Sequence, residues 1–269
     1  MFEWFLINSL IVGIMLIIAL CPLGSVILWR KIPYIGDSIA HASVLGVVIA
    51  LLYNVNMEIS LIITAIVFVG VIAYLRNERI SDILIVIFSY SFLAIGLFLV
   101  TFVNNNQQVD IFAYLFGDIL LVTAGDILFV SVISAIILGW LCYRWKSLLL
   151  SSINEDLAII DGCNTKKLEI ELMIAVAVVV SFALKIVGIL LVAALLIIPA
   201  TAARNISYNP IAMVVKSIVI GVVSVFLGLW LSYCVDSPSG PSIIIFNIVI
   251  FILSLVYKRF FRLSFLFKT

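Results

Sequence analysis

Charge is what this sequence has least of. Only 11% of its 269 residues are Asp, Glu, Lys or Arg, where a water-soluble domain carries about 25%. With 65% hydrophobic residues and a mean hydropathy of +1.37, a chain of this size cannot hide its apolar surface from water, so its solvent is a bilayer. Alternation of polar and apolar residues is missing too, which excludes an outer-membrane barrel. The net charge of +1 builds no basic surface, and nucleic acid is not an expected partner. The four cysteines, Cys21, Cys142, Cys163 and Cys234, form no C-x-x-C pair and read as free thiols in or near membrane helices. No G-x-x-x-x-G-K-[ST] phosphate loop, H-E-x-x-H or G-x-S-x-G occurs. A single histidine, His41, excludes a His-rich metalloenzyme site within one chain. With no catalytic constellation left, the chain is not expected to be an enzyme. Any ATP-driven work must come from another polypeptide.

What is present is a series of long apolar runs. The ~20-residue criterion for a transmembrane helix predicts about nine spans, with eight as the alternative. They fall near 5–28, 36–53, 57–75, 82–103, 125–143, 168–186, 189–204, 211–234 and 241–257. The fold class is therefore an all-α polytopic membrane protein with one domain over 1–269. Met1-Phe2-Glu3-Trp4 lacks the basic start of a secretory signal, so the first run reads as a retained span.

Basic residues orient the bundle, because cytoplasmic loops carry the Lys and Arg excess. Fourteen of the fifteen Lys and Arg follow spans one, three, five, seven and nine or close the loops between them. This predicts an outside N-terminus and a cytoplasmic C-terminus. Lys185 is the exception. The run from Leu168 to Ala203 has basic residues at both ends, which requires an even number of crossings, so a tight outer turn is expected at Lys185-Ile186-Val187-Gly188. Lys185 itself reads as a residue snorkelling to the outer interface, or as a charge facing a translocation path or outer gate. Pro199 should kink or end the seventh helix near the cytoplasm. The polar stretch 104–110 leads into 111–120, too short to cross, which reads as a half-helix or re-entrant piece. Asp118 and Asp236 read as turn or cap residues at the outer face, with receipt of metal or docking of a partner as the alternative.

The longest cytoplasmic loop, 144–167, contains Ser152-Ile153-Asn154-Glu155-Asp156-Leu157-Ala158-Ile159-Ile160-Asp161-Gly162. Asn154 suits a helix N-cap, Glu155 and Asp156 suit a first turn, and Gly162 suits an end. A short amphipathic helix on the cytoplasmic face is expected.

The stretch with the most chemistry is Gly36-Asp37-Ser38-Ile39-Ala40-His41-Ala42-Ser43. Asp37 and His41 are four apart, so a helix stacks them on one face. A carboxylate and an imidazole are both metal ligands, and an ionisable residue within a span marks a functional site. The plainer alternatives are an N-cap role for Asp37 and an interhelical hydrogen bond for His41. The topology puts Asp37 toward the cytoplasmic side, with His41 one turn (~5–6 Å) deeper.

Several segments together resemble the permease subunit of bacterial zinc/manganese ABC importers, its zinc-uptake branch above all. They are Pro22-Leu23-Gly24-Ser25 through Trp29-Arg30-Lys31, the Gly36–His41 motif, Ala113-Tyr114-Leu115-Phe116-Gly117-Asp118-Ile119-Leu120, Asp156-Leu157-Ala158 with Gly162, Lys185 to Ala200, and Asp236-Ser237-Pro238-Ser239-Gly240-Pro241. The resemblance implies a homodimer of permeases in the bacterial cytoplasmic (inner) membrane, two cytoplasmic ABC ATPases beneath, and an extracytoplasmic metal-binding protein. Zn²⁺ is then the transported substrate, with no permanently bound cofactor. Asp37 and His41 become the metal residues, and Glu155, Asp156, Leu157, Ala158 and Gly162 the ATPase-coupling helix. Manganese or iron remains an alternative cargo, since ligand type separates these ions poorly. An ion-gradient-driven carrier using Asp37, His41 and Lys185 as a proton relay remains an alternative mechanism.

Overall fold

Every backbone N–H and C=O inside a bilayer must be satisfied within the protein, so continuous apolar runs become helices. The computed structural model describes residues 2–75, 81–103, 117, 119 and 122–266. These contain α1 (Phe2–Trp29), α2 (Tyr34–Tyr53), α3 (Met57–Leu75), α4 (Ser81–Val100), α5 (Ala124–Ile153), α6 (Glu155–Ile160), α7 (Thr165–Ile206), α8 (Pro210–Val235) and α9 (Ser239–Leu266). Among the described residues, eight helices are long and apolar enough to cross a membrane.

The sixth of these eight, α7, is two crossings in one. A straight helix of its 42 residues would run about 63 Å, twice the ~30 Å hydrocarbon core. Gly188, at φ 77° and ψ 166°, breaks it. Glu169 pairs with Arg30, while Ala200 lies against Gly24. Helical rise separates Arg30 from Gly24 by about 9 Å, but would separate Glu169 from Ala200 by about 46 Å. Both contacts are met only if the chain doubles back at Gly188. The outgoing arm (165–187) and the returning arm (189–206) are the sixth and seventh crossings, as the basic flanks of this run required. Gly117, also in the left-handed region at φ 61°, lays its backbone on this elbow: a Cβ there would collide with the Gly188 nitrogen.

Pro199 does not end the seventh crossing. The returning arm stays helical to Ile206, and Gly188 is the one non-helical residue in α7. The ring removes one N–H, which frees the Leu195 carbonyl. The Cys21 thiol donates to that oxygen at 3.8 Å, so α1 supplies the missing donor and the helix continues. Gly24, one turn on, lets α1 approach so closely that a Cβ there would collide with the Leu196 carbonyl oxygen. The 144–167 loop is also shorter than expected, because α5 continues through Arg144 to Ile153. Nothing in Trp145-Lys146-Ser147-Leu148-Leu149-Leu150 breaks a helix; Asn154 does. The 111–120 segment lies mostly outside the described residues. Of its members, Gly117 sits at the elbow and Ile119 is buried in the core cluster.

Helix α7 is the centre of the bundle and touches α1, α2, α3, α5, α8 and α9. Leu196 on its returning arm fits between Gly24 of α1 and Gly36 of α2. Leu20, Leu23 and Ile27 of α1 and Ile35 and Ile39 of α2 are fully buried there. By contrast α4 and α5 present Ile87, Phe98, Leu128 and Ile136 outward, where lipid tails are as good a neighbour as leucine. Buried hydroxyls return to carbonyls one turn back, as in Ser43 to Ile39 (2.8 Å) and Thr64 to Ser60 (2.8 Å). All four cysteines are free thiols.

Candidate metal pair and flanking charge clusters

The sequence from Tyr34 to Ala50 buries almost all of α2. The residues not buried are Tyr34, Asp37, His41, Leu45 and Ile49, one stripe at i, i+3 and i+4 spacing. The only histidine and its carboxylate neighbour both lie on this stripe. Their side chains are 29% and 47% exposed. His41 Nδ1 is 3.0 Å from the Asp37 backbone oxygen and 3.5 Å from Asp37 Oδ2. A carbonyl oxygen only accepts, so this contact makes Nδ1 the protonated nitrogen and leaves the Nε2 lone pair as the free ligand. Metal-bound histidines are commonly oriented through their other nitrogen in this way. Among the described residues, no three His, Cys, Asp or Glu gather into a metal-holding group. Asp37 and His41 are thus a pair of candidate ligands rather than a complete site.

The depth of the pair follows from α2, which begins at Tyr34, two residues before the hydropathy boundary. His41 stands about 10 Å in from that end and about 18 Å from Tyr53. The ring of Tyr90, midway along α4, has its centroid 6.2 Å from that of His41. Further out, Gly96 of α4 packs on the Leu45 backbone. The imidazole thus lies between the cytoplasmic end and the midplane, beside the centre of α4.

At the opposite end Lys185 does not snorkel freely. Its Nζ is 2.6 Å from Glu58 Oε1 and 3.0 Å from Asp126 Oδ1, which ties the α7 elbow to the first turns of α3 and α5. Asp126 also closes a capping box with Thr123. Sequence reasoning missed Glu58 and Asp126. The available signal was that each is an acid in the first turn of a span on the same outer side as Lys185. Asp236 is the exposed C-cap of α8, left-handed at φ 52° with its N–H on Ser232, and takes no part in either cluster. Asp118 lies outside the described residues.

The cytoplasmic end holds acids that the sequence reading did not single out. Glu169 pairs with Arg30 at 3.5 Å. Glu171 receives Arg144 Nε and Nη2 at 3.0 and 2.9 Å and Trp140 Nε1 at 3.4 Å. Both acids start the outgoing arm of α7, two apart in an apolar run. Beside them α6 forms as its composition predicts. The Asn154 side chain accepts from Asp156 N and Leu157 N. Gly162, at φ 80°, follows the last turn, with Gly162 N on Ile159 O and Cys163 N on Ala158 O, the two bonds of a Schellman motif. Ala158 is fully buried, while Leu157, Ile159 and Ile160 face outward.

The chain resembles known proteins over nearly its whole length. The model of the ABC 3 transport family matches residues 2–258. The high-affinity zinc uptake system membrane protein ZnuB of Haemophilus influenzae is 36% identical over 261 residues, covering 96% of this chain and 99% of that protein. ZnuB of Buchnera aphidicola subsp. Schizaphis graminum is 36% identical over 249 residues, covering 91% and 95%. A manganese transport system membrane protein, MntC of Listeria monocytogenes, is 30% identical over 256 residues, covering 94% and 90%. Among solved structures, PsaBC from Streptococcus pneumoniae in complex with Fab superposes with a TM-score of 0.84 at 30% identity, covering 97% of this chain and 95% of that one. With a family match over residues 2–258 and relatives aligned almost end to end, the chain belongs to the ABC 3 transport family.

Proposed function

We propose that this chain is the membrane-spanning permease subunit of an ATP-driven importer that carries Zn²⁺ into the bacterial cytoplasm. The observation that carries the reading is the Asp37–His41 pair, a carboxylate and the only histidine set side by side on the one stripe of α2 that is not fully buried. Family membership makes it a transport subunit, and the greater identity to relatives named for zinc than to one named for manganese favours zinc as cargo. Zn²⁺ takes about four N, S or O ligands. Two come from one chain, and a second copy related by a two-fold axis would present the same two. Alternatively each copy holds a weak, partly hydrated ion, which suits a substrate that must leave again.

The remaining parts fit this assembly. The exposed Leu157, Ile159 and Ile160 of α6, with Glu155 and Asp156 beside them, form an apolar knob with an acidic rim on the basic, cytoplasmic side. A separate ABC ATPase docks there, and an extracytoplasmic protein delivers the metal at the Lys185 end. The test is purification with associated subunits followed by zinc uptake in proteoliposomes. An ATPase recovered with the wild-type chain and lost on Leu157→Asp supports the assembly. Zinc uptake unchanged in His41→Ala sinks the metal assignment. Uptake that survives removal of every ATPase turns the reading to a gradient-driven carrier.

A further inference from the structure

Arg30 directly follows α1, and Lys31-Ile32-Pro33 then lead into α2. The Arg30 side chain is only 7% exposed, and that of its partner Glu169 14%. Arg30 Nη2 lies 3.5 Å from Glu169 Oε2 at the start of the outgoing arm of α7. Arg30 Nη1 donates to the Ser151 carbonyl at 3.4 Å, in the last turn of α5, just before Asn154 caps α6. Trp29 strengthens the same junction. Its ring meets Trp145 of α5 edge-on with centroids 5.8 Å apart, and its Nε1 reaches Met213 Sδ of α8 at 3.2 Å. On the other side the route to α2 is short and held. Lys31 takes a left-handed φ of 59°, Ile32 N bonds to Ile27 O at 3.2 Å, and Ile35 N to Ile32 O at 3.3 Å. Asp37 is already in the first turn of α2.

One buried guanidinium therefore joins three things: the end of the helix that carries α6, the arm of α7 that α6 packs against, and the turn that begins the metal-bearing helix. We propose that Arg30 is the positioning residue that transmits movement of α6 to the Asp37–His41 pair, so that ATP hydrolysis in a partner subunit is felt at the metal. This rests on the reading of α6 as the ATPase-docking helix. The chemistry asks for arginine, because its planar fork of five donors holds a carboxylate and a carbonyl at once, where lysine offers a point charge on a flexible stem. A shift of α5 or α7 against α1 must then either break these contacts or carry the 30–34 turn with it.

The experiment uses the complete permease–ATPase complex in proteoliposomes with the extracytoplasmic metal-binding protein and Zn²⁺ supplied outside, reading zinc transported and ATP hydrolysed in the same vesicles. Arg30→Lys keeps the charge opposite Glu169 and loses the double hold. The expected result is copurified ATPase hydrolysing close to the wild-type rate, while zinc moved per ATP falls roughly ten-fold, the scale of an ordinary coupling free energy between sites. Glu169→Gln, which keeps the volume and loses the charge, is the second variant and should show the same split. A wild-type zinc-to-ATP ratio in both variants overturns the proposal. So does a parallel loss of folded complex in both, which would make Arg30 a folding residue. The docking reading fails on a different readout, ATPase copurification with Leu157→Asp.

Discussion

The outer end of the bundle and the middle of α2 both bring a basic group to a carboxylate, and they differ in where the cation comes from. Outside, Lys185 places its ammonium 2.6 Å from Glu58 and 3.0 Å from Asp126. Asp126 is further engaged by Thr123. The chain has filled this dicarboxylate site with its own lysine, and the result is a tie between three helices. In α2 the carboxylate of Asp37 is paired with an imidazole at 3.5 Å whose Nε2 has no partner among the described residues. The stripe around it is left half-open. Carboxylates that hold one of the chain's own cations tie helices together, whereas the Asp37–His41 pair, on the reading proposed above, takes its cation from elsewhere. A metal permease needs both kinds, one to hold the helices and one to release its ion.

The sharpest way to break this comparison is to remove one member from each cluster. His41→Ala should lower zinc uptake by at least about 100-fold, since even disturbing the groups that orient a metal ligand costs 10–100-fold. Folding should be little affected, because the ring is partly exposed and its bonds stay within its own turn. Lys185→Met should leave uptake measurable. Uptake assays on matched amounts of membrane-inserted protein decide it, and equal losses in the two variants would end the distinction.

Which of these features the sequence disclosed follows from how local they are. The Asp37–His41 face needs only a four-residue spacing. The caps of α6 need only Asn154 and Gly162 at its two ends. The elbow at Gly188 follows from basic residues at both ends of one apolar run. The partners of Lys185 come from helices 127 and 59 residues away, and those of Arg30 from 121 residues away and beyond, so no local pattern names them. That Pro199 does not end its helix was hidden for the same reason: the rule about its lost hydrogen bond is local, and the Cys21 thiol that answers the freed carbonyl is 174 residues from it. The continuation of α5 past Arg144 was hidden because charge reads as loop, while Arg144 is in fact neutralised by Glu171 on α7.

The elbow beside the outer tie provides a second test. Gly188 adopts a conformation in the region reserved for glycine, and Gly188→Ala should cost about 1–3 kcal/mol from backbone strain alone. The variant should melt at lower temperature in detergent, with zinc affinity per folded molecule unchanged. A fall in affinity without loss of stability would instead connect the elbow to the metal pair.

Lys185→Met gives the next smaller effect. Removing the ammonium leaves Glu58 and Asp126 facing one another with no counter-charge, yet all three groups keep some access to water, so the loss should stay near 1–2 kcal/mol rather than the 3–5 of a fully buried pair. Lys185→Arg should restore most of it. Thermal unfolding of the two variants side by side separates the charge from the stem: if Met and Arg are equally destabilised, the tie is one of packing.

The smallest effect belongs to the cytoplasmic helix and separates docking from metal binding. Asn154 accepts from two backbone amides of α6 at 2.9 and 3.2 Å, so Asn154→Ala should destabilise that helix by about 1 kcal/mol. At six residues, α6 has too few turns to persist on propensity alone. It stays folded through this cap, the glycine turn at its other end and the buried Ala158. Loosening it should weaken retention of the ATPase by about five- to ten-fold, the equivalent of 1–1.4 kcal/mol, while Zn²⁺ affinity at Asp37 and His41 stays at its wild-type value. Asn154→Asp, which also caps, should restore retention. If Asn154→Ala changes zinc affinity as strongly as ATPase retention, the two ends of the Arg30 junction are one folding unit rather than two sites in communication.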